Sequence, residues 1–266
     1  MRNLFAALIV IMSATAWASD YENGENAYNK GNYATAAQFF KSAAEQGVAN
    51  AQHMLGYMYS TGQGVTQDYG KAIRFYTQAA EQGNGFAQNN LGHMYFAGQG
   101  VTQDYEKAKR FYTQAAKQGL AGAQYNLGAM YARGLAGPQD YAEAARLYRL
   151  AAEQGWAAAE FSLGSMYEQG LSVPKDYVEA VRLYRLAAEK GDRAAQNNLG
   201  TAYGKGQGAP KDQVLAYMWL NLAAAQGLEQ AIDSREVVAE DMTPQQIAEA
   251  QRLARECLAR NYKNCD

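Results

Sequence analysis

Residues 87–119 read AQNNLGHMYFAGQGVTQDYEKAKRFYTQAAKQG, and close copies of this stretch recur along the chain. Its Leu91-Gly92 pair recurs every 36 residues, from Leu55-Gly56 to Leu199-Gly200. Its final residue, Gly119, belongs to a second glycine series with the same 36-residue spacing. Self-similarity at a period of about 20–50 residues indicates a solenoid that stacks copies of one supersecondary unit. The sequence therefore predicts an all-α repeat protein.

Each repeat is predicted to form two antiparallel helices, here called helix A and helix B. In the first repeat, Ala51, Leu55 and Tyr59 recur at helical spacing on helix A. Gly62 is predicted to end that helix as a left-handed cap. Helix B carries Ala72 and other apolar residues inward. Five aspartates share the position expected for its N-cap: Asp68, Asp104, Asp140, Asp176 and Asp212.

A glycine lies inside every predicted helix A, as Gly56 does in the first repeat. Glycine destabilises a helix interior by about 1 kcal/mol relative to alanine. Because the residue recurs in five repeats, we expect it to permit close contact between helices.

The segments outside the repeats are interpreted as an export signal and two modified ends of the repeat array. The predicted organisation is a signal peptide (1–18), an N-terminal half-repeat (19–47), five repeats (48–83, 84–119, 120–155, 156–191, 192–227) and C-terminal capping helices (228–266). Asn32 takes the N-cap place of Asp68. Thr243-Pro244 with Gln246 is typical of a capping box that begins a last helix running through Arg260.

The first 18 residues have the three parts of a secretory signal. Arg2 supplies a positive start, Leu4 to Met12 are apolar, and Ala16-Trp17-Ala18 is a small-residue site with cleavage expected after Ala18. A membrane anchor is the alternative, but a spanning helix needs about 20 apolar residues. We expect a periplasmic or secreted protein with no membrane span.

Composition excludes several classes of function. The chain has 26 acidic and 24 basic residues, so nothing suggests a nucleic-acid partner, which would require a basic surplus. Two histidines and two cysteines leave few ligands or nucleophiles. No catalytic residue, metal site or cofactor is predicted. Arg74, Arg110, Arg146 and Arg182 share one helix B position, which points first to ion pairing or a solvated face.

The two cysteines lie near the C-terminus, at Cys257 and Cys265. In an oxidising compartment they would form a disulfide. A continuous helix would separate their Cα atoms by about 12 Å, whereas a disulfide allows about 7 Å. The bridge therefore requires the chain to fold back after Arg260, and Asn261 and Asn264 permit that turn. The alternative is two reduced thiols on a frayed tail.

The stretch from Ala87 to Gly119 resembles the Sel1-like repeat, which is related to the tetratricopeptide repeats. The resemblance covers residues 48–227 and the half-unit before them, and the tail from Met242 resembles the end cap of many bacterial members. It implies a right-handed α-solenoid that serves as an adaptor for other proteins, with no shared catalytic motif. Known family roles include signalling, envelope assembly and host contact.

The resemblance also implies that the A helices line the concave side of the solenoid. On helix A, the positions that vary between repeats lie three before the glycine and one and four after it, which puts them on one stripe. Asparagines two before the glycine would add hydrogen bonds. The predicted partner-binding groove comprises His53, Tyr57, Asn89, Asn90, His93, Phe96, Tyr125, Asn126, Phe161 and Ser165. Its two histidines would make binding change near pH 6 if either meets a charge. Ordinary tolerated surface positions are the alternative.

The leading functional hypothesis is a non-enzymatic scaffold that binds a protein or peptide outside the cytoplasm. A second hypothesis is a protein that binds or hydrolyses cell-wall or β-lactam compounds, because penicillin binding has been attributed to cysteine-rich relatives. That reading requires a nucleophile and a base, and the sequence shows no such pair. A third is a structural part of an envelope complex.

Overall fold

A computed structural model describes residues 19–265, and every regular element within that range is a helix. Its first helix, α1, covers residues 19–29. The other helices are α2 (Tyr33–Glu45), α3 (Ala49–Thr61), α4 (Tyr69–Glu81), α5 (Gly85–Ala97), α6 (Tyr105–Lys117), α7 (Ala121–Arg133), α8 (Tyr141–Glu153), α9 (Ala157–Gln169), α10 (Tyr177–Ala188), α11 (Arg193–Lys205), α12 (Gln213–Ala225), α13 (Glu229–Glu240) and α14 (Pro244–Ala259). The all-α prediction is confirmed. The predicted signal peptide lies outside the described residues.

The helices pack into two compact units, one ending at Ala123 and the other beginning at Gln124. In the first unit α2 packs on α3, α3 on α4, α4 on α5 and α5 on α6. In the second unit, successive helices from α8 to α13 pack in the same way, and α14 packs on α12. Packing between successive helices is what a repeat architecture requires, since each repeat contacts only its neighbours.

The predicted caps are present at both ends of the connecting loop. Gly62 ends α3 with φ of 75°, a left-handed conformation that glycine adopts without side-chain strain. Asp68 then begins α4, where its carboxylate accepts a hydrogen bond from the backbone N–H of Lys71. Asp104, Asp140, Asp176 and Asp212 cap their helices in the same manner. Asn32 stands at the N-cap of α2, but its side chain makes no capping hydrogen bond.

The glycine inside helix A lies against the ring of a helix B tyrosine. A Cβ added to Gly56 would lie 2.7 Å from Cδ1 of Tyr76, and one added to Gly92 would lie 2.7 Å from Cδ1 of Tyr112. A Cβ added to Gly128 or to Gly164 would lie 2.9 Å from Cε1 of the tyrosine in its own repeat. The expected close approach of helices is confirmed; a tyrosine ring requires it in four repeats, and Leu220 takes that place against Gly200 in the fifth.

The segment predicted as an N-terminal half-repeat, 19–47, contains two helices, α1 and α2. Gly24 of α1 lies against Phe40 of α2, as Gly56 lies against Tyr76. Gly24 precedes Gly56 by 32 residues instead of 36, because only residues 30–32 connect α1 to α2. This short connection breaks the 36-residue spacing, so the sequence pattern did not reveal the first helix.

The last helix has the predicted capping box and ends where expected. Thr243 and Gln246 form a capping box at the beginning of α14, and Arg260 ends that helix. Beyond it the chain folds back, with positive φ at Asn261, Tyr262 and Asn264. The turn brings Cys257 and Cys265 together in a disulfide with Cα atoms 5.0 Å apart. The predicted bridge is confirmed, and both half-cystines are buried in the core of the second unit.

Removing the disulfide is expected to destabilise the C-terminal end of the molecule. The bridge closes a loop with a sequence separation of 8, for which chain entropy predicts about 2–3 kcal/mol. We expect Cys257→Ser/Cys265→Ser to lower the denaturant midpoint, and a reductant to do the same to the wild type. Adding reductant to the double variant is the control and should change nothing. Equal midpoints for oxidised and reduced wild type would contradict the prediction.

Candidate peptide-binding face

Three of the predicted groove residues meet at a cleft in the first unit. The cleft has a volume of about 280 Å³, and Tyr57, Asn90 and His93 are among its lining residues. Ser60 of α3 and Tyr76 of α4 also line it, with Ser60 Oγ 3.2 Å from the Tyr76 hydroxyl oxygen. Aromatic rings and hydrogen-bonding groups therefore share one concave surface, a combination typical of sites for small ligands and peptides.

His53 lies beside this cleft and is held by its neighbours. Its ring centroid lies 5.9 Å from that of Tyr76 and 5.8 Å from that of Phe86. Its Nε2 atom is 3.2 Å from Nδ2 of Asn90. Burial lowers the pKa of His53 to about 4. The imidazole is therefore neutral at pH 6, and the prediction that His53 titrates there is wrong.

The other groove residues of the first unit belong to α5. Asn89 is half-buried, and the Phe96 ring packs on that of Tyr105 with centroids 5.5 Å apart. Neither residue lines the cleft that holds Tyr57 and His93. The structure therefore divides the predicted residues of this unit into a cleft set and two flanking positions.

In the second unit, the predicted aromatic anchors pack on helix B tyrosines. The Tyr125 and Tyr148 ring centroids lie 5.7 Å apart, and those of Phe161 and Tyr184 lie 5.8 Å apart. Asn126 and Ser165 are half-buried as well. Ser165 Oγ accepts a hydrogen bond of 2.7 Å from Gln169. The side chains at the variable positions thus still take part in core packing. Each of the two aromatic rings has at most one face left for a partner to contact.

The helix B tyrosines contribute hydroxyl groups to this side of the protein. Burial raises the pKa of Tyr76 to about 12 and raises those of Tyr112, Tyr148 and Tyr184 as well. The neutral hydroxyl of Tyr184 donates a hydrogen bond of 2.6 Å to Glu168, four residues after the helix A glycine. The 36-residue recurrence of these tyrosines was the available signal, but spacing alone does not show which end of a ring reaches solvent.

The histidine burial leads to a testable pH dependence of stability. The folded-state pKa of His53 is about 4, against 6.5 for the exposed group. Between these values the unfolded chain binds the proton and the folded chain does not, so acid favours unfolding. We expect the free energy of unfolding to fall as pH drops from about 6.5 to 4, and NMR titration of the imidazole to give a pKa near 4. His53→Asn introduces the asparagine that the next repeat has at the equivalent position, Asn89. This variant should lose this part of the pH dependence.

Within residues 19–265, no helix is both long and apolar enough to cross a membrane. The same residues contain no group of three or more His, Cys, Asp or Glu side chains arranged to hold a metal ion.

Comparison with known proteins identifies the repeat. A model of the Sel1 repeat family matches six consecutive segments: 12–48, 49–84, 85–120, 121–156, 157–192 and 193–228. These segments cover most of the chain. The chain belongs to the Sel1 repeat family. The first matched segment includes α1 and α2, which agrees with the helix pair found there.

Two solved structures share the fold of this Sel1 repeat protein. A Sel1 repeat protein from Oxalobacter formigenes is 34% identical, with a TM-score of 0.76, over 89% of this chain and 99% of that one. A protective antigen of uropathogenic Escherichia coli is 31% identical, with a TM-score of 0.72, and the match covers 94% of this chain but 62% of the antigen. The solenoid prediction is therefore confirmed.

A curated relative shows a shorter match. HcpE of Helicobacter pylori, a protein named as a candidate beta-lactamase, is 47% identical over 45 residues. That segment is 17% of this chain and 13% of HcpE. The match is about one repeat long. It therefore supports a shared repeat and gives no information about the activity of the whole protein.

Proposed function

We propose that this Sel1 repeat protein is a non-enzymatic scaffold that binds a protein or peptide partner through its helix A side. The observation that carries the proposal is the cleft lined by Tyr57, Tyr76, Asn90 and His93. The tyrosine rings offer apolar area with few rotatable bonds, which is the usual property of interface anchors. The Asn90 amide offers a donor and an acceptor for a peptide backbone.

The groove of the second unit is proposed on the same basis. Tyr125 and Phe161 are half-buried aromatic residues that contact helix B tyrosines. Partner binding would cover their remaining exposed faces. Because their rings are already held on one side, little side-chain entropy would be lost on binding.

We also propose that the protein acts in the periplasm or outside the cell. Two features support this location: the signal-like residues 1–18 and the disulfide between Cys257 and Cys265. Disulfides persist in oxidising compartments and are rare in the cytosol. N-terminal sequencing of protein from its native host should find Ser19 first. An intact Met1 in a cytosolic fraction would contradict the location.

Site-directed photocrosslinking tests the binding face directly. A photoreactive phenylalanine at His93, which is exposed in the cleft, should capture a partner in the native envelope. The matched control places the same group at Arg146, an exposed helix B residue of the second unit. Equal capture at both positions, or capture at Arg146 alone, would contradict the proposal.

With the partner identified, variants distinguish the two sides. Phe96→Ala/Tyr125→Ala/Phe161→Ala should weaken binding strongly, whereas Arg146→Ala/Arg182→Ala should leave it within about twofold, because exposed ion pairs contribute little. The reverse result would show that helix B carries the interface.

Turnover of a chromogenic β-lactam by the purified protein would favour the enzymatic alternative, and stable co-purification with envelope proteins would favour the structural role.

A further inference from the structure

A second cleft of the first unit lies on the helix B side and carries positive charge. It has a volume of about 480 Å³ and is lined by residues of α2, α3 and α4. Lys41, Lys71 and Arg74 are its cationic residues, and Glu45 is its one carboxylate. No residue lines both this cleft and the one that contains His93. The two clefts are therefore separate surfaces.

The cationic groups lie on an aromatic base. The rings of Tyr59 and Phe75 are nearly parallel, with centroids 5.8 Å apart and an interplanar angle of 4°. Lys71 Nζ lies 5.1 Å from the Tyr59 centroid, and Arg74 Cζ lies 4.8 Å from the Phe75 centroid. Cation–π contact orients the guanidinium without neutralising its charge.

The next repeat contains the same arrangement. Tyr95 and Phe111 stack with centroids 5.8 Å apart and an angle of 10°. Lys107 Nζ and Arg110 Cζ each lie 5.1 Å from the centroid of one of these rings. Within the described residues, neither Arg74 nor Arg110 has a carboxylate partner; the nearby lysines Lys71 and Lys107 pair with the N-cap aspartates instead. Two guanidinium groups without counterions therefore stand at equivalent positions of adjacent repeats.

The equivalent arginines of the second unit show which group this position accepts. Arg182 Nε and Nη2 donate to the two carboxylate oxygens of Glu179 at 2.8 and 2.6 Å. Arg146 forms the same bidentate pair with Glu143. Glu143 and Glu179 occupy the repeat position of Lys71 and Lys107, and leucine replaces the phenylalanine. Here the protein supplies its own carboxylate.

We propose that the first unit uses Arg74 and Arg110 to bind an acidic peptide segment, one carboxylate side chain per arginine. A planar guanidinium matches a carboxylate in bidentate geometry, as the second unit demonstrates internally. Because Asp68 and Asp104 balance the charges of Lys71 and Lys107, the arginines carry the net positive charge, and the stacked rings would contact the aliphatic stem of a Glu side chain. Adjacent repeats present the two arginines on successive B helices, α4 and α6, which suits one extended segment with two carboxylates. The inference goes beyond the helix A scaffold function and does not depend on it.

Binding of a synthetic acidic peptide tests the inference. The probe is a fluorescein-labelled octapeptide of alternating Glu and Ser, and its control replaces every Glu by Gln. Fluorescence anisotropy with the mature protein should show binding of the Glu peptide at least about tenfold tighter than binding of the Gln peptide. Binding should weaken as salt is raised from 50 to 300 mM, because exposed charges are screened. Equal affinity for both peptides would overturn the proposal.

The most discriminating variant, here called the graft, transfers the glutamates of the second unit to the equivalent positions of the first. Lys71→Glu/Lys107→Glu gives each arginine the bidentate internal partner that Glu143 and Glu179 supply and sets negative charge against the peptide, so it should reduce Glu-peptide affinity at least about tenfold. Arg74→Gln/Arg110→Gln should do the same. Lys205→Glu/Lys211→Glu in the second unit makes the same change in net charge and should alter affinity less than about threefold. Circular dichroism confirms that each variant is folded.

Two further outcomes would contradict the assignment. Equal loss in the graft and the Lys205/Lys211 control would show that net charge alone attracts the peptide. Tighter binding of an octapeptide with phosphoserine at the Glu positions, together with displacement of the Glu peptide by millimolar inorganic phosphate, would make phosphate the recognised group.

Glu143→Lys/Glu179→Lys, which releases Arg146 and Arg182, should raise Glu-peptide affinity and so provides a gain of binding as the complementary result.

Discussion

Replacing Trp219 by alanine is expected to destabilise the protein by about 3–5 kcal/mol, as for other fully buried aromatic residues. Trp219 is 0% exposed and lies in a core cluster with Met218 and Leu222 of α12 and with Ala250 and Ala254 of α14. Its repeat position is that of Phe75 and Phe111. Removing the indole would therefore leave a cavity where the last repeat meets its capping helix.

The control for this prediction is Trp219→Phe, which copies the residue of the first two repeats. Trp219 Nε1 is buried and has no hydrogen-bond partner within the described residues, so phenylalanine removes an unsatisfied donor along with some apolar area. We expect a loss below about 1.5 kcal/mol. Denaturant unfolding followed by circular dichroism gives both values, and hydrogen exchange should show α14 opening most readily in Trp219→Ala. A midpoint for Trp219→Ala equal to that of Trp219→Phe would contradict the assigned core.

Local signals in the sequence predicted most of the fold because each acts within a few residues. Asp68 caps the helix that it precedes, and Gly62 ends the helix that it follows. Thr243 with Gln246 begins α14 in the same local way. The disulfide was predictable for a related reason. Its two cysteines are close in sequence, and the geometry required only one turn, which Asn261 and Asn264 provide.

Features that depend on packing between distant residues were not predictable in the same way. His53 occupies a variable position, so the pattern indicated an accessible residue. Its actual burial depends on Tyr76 and Phe86, which belong to other helices. The partner of the helix B arginine also differs between repeats, since Arg182 pairs with Glu179 whereas Arg74 stacks on Phe75.

A series of glutamine pairs, each with a buried helix A member, was missed although its signal was in the repeat. Gln82 Nε2 donates to Gln52 Oε1 at 2.7 Å, and the Gln52 amide donates to the Ala44 carbonyl at 3.2 Å. Corresponding pairs are Gln118–Gln88, Gln154–Gln124 and Gln226–Gln196. The two glutamines of each pair are 30 residues apart. The repeat therefore shows that both positions recur, but it does not show that the two side chains are in contact. The pairs satisfy polar groups at the contact between helix A and the end of helix B.

One repeat replaces this glutamine pair with ions. Glu160 stands at the position of Gln52, and Lys190 stands at that of Gln82. Lys190 Nζ donates to Glu160 Oε1 at 2.5 Å and to the Gly155 carbonyl at 3.0 Å. The Glu160 side chain is 3% exposed, and its Oε2 atom has no hydrogen-bond partner within the described residues. Among the described residues, Lys190 is therefore the one direct ion-pair partner of this buried carboxylate.

Removing that lysine is expected to be strongly destabilising. Lys190→Met should lower the free energy of unfolding by about 3 kcal/mol, because it leaves an uncompensated buried charge. This is the lower end of the usual range, since Lys190 is 38% exposed and water can approach the vacated site. Glu160→Gln/Lys190→Gln rebuilds the pair found in the other repeats and should match or exceed the wild-type stability, because both amides are neutral and can hydrogen-bond. Denaturant unfolding of the two variants at pH 7 decides the point. If the double glutamine variant proves as unstable as Lys190→Met, the ionic pair itself is required at this repeat, and the equivalence of the two arrangements is wrong.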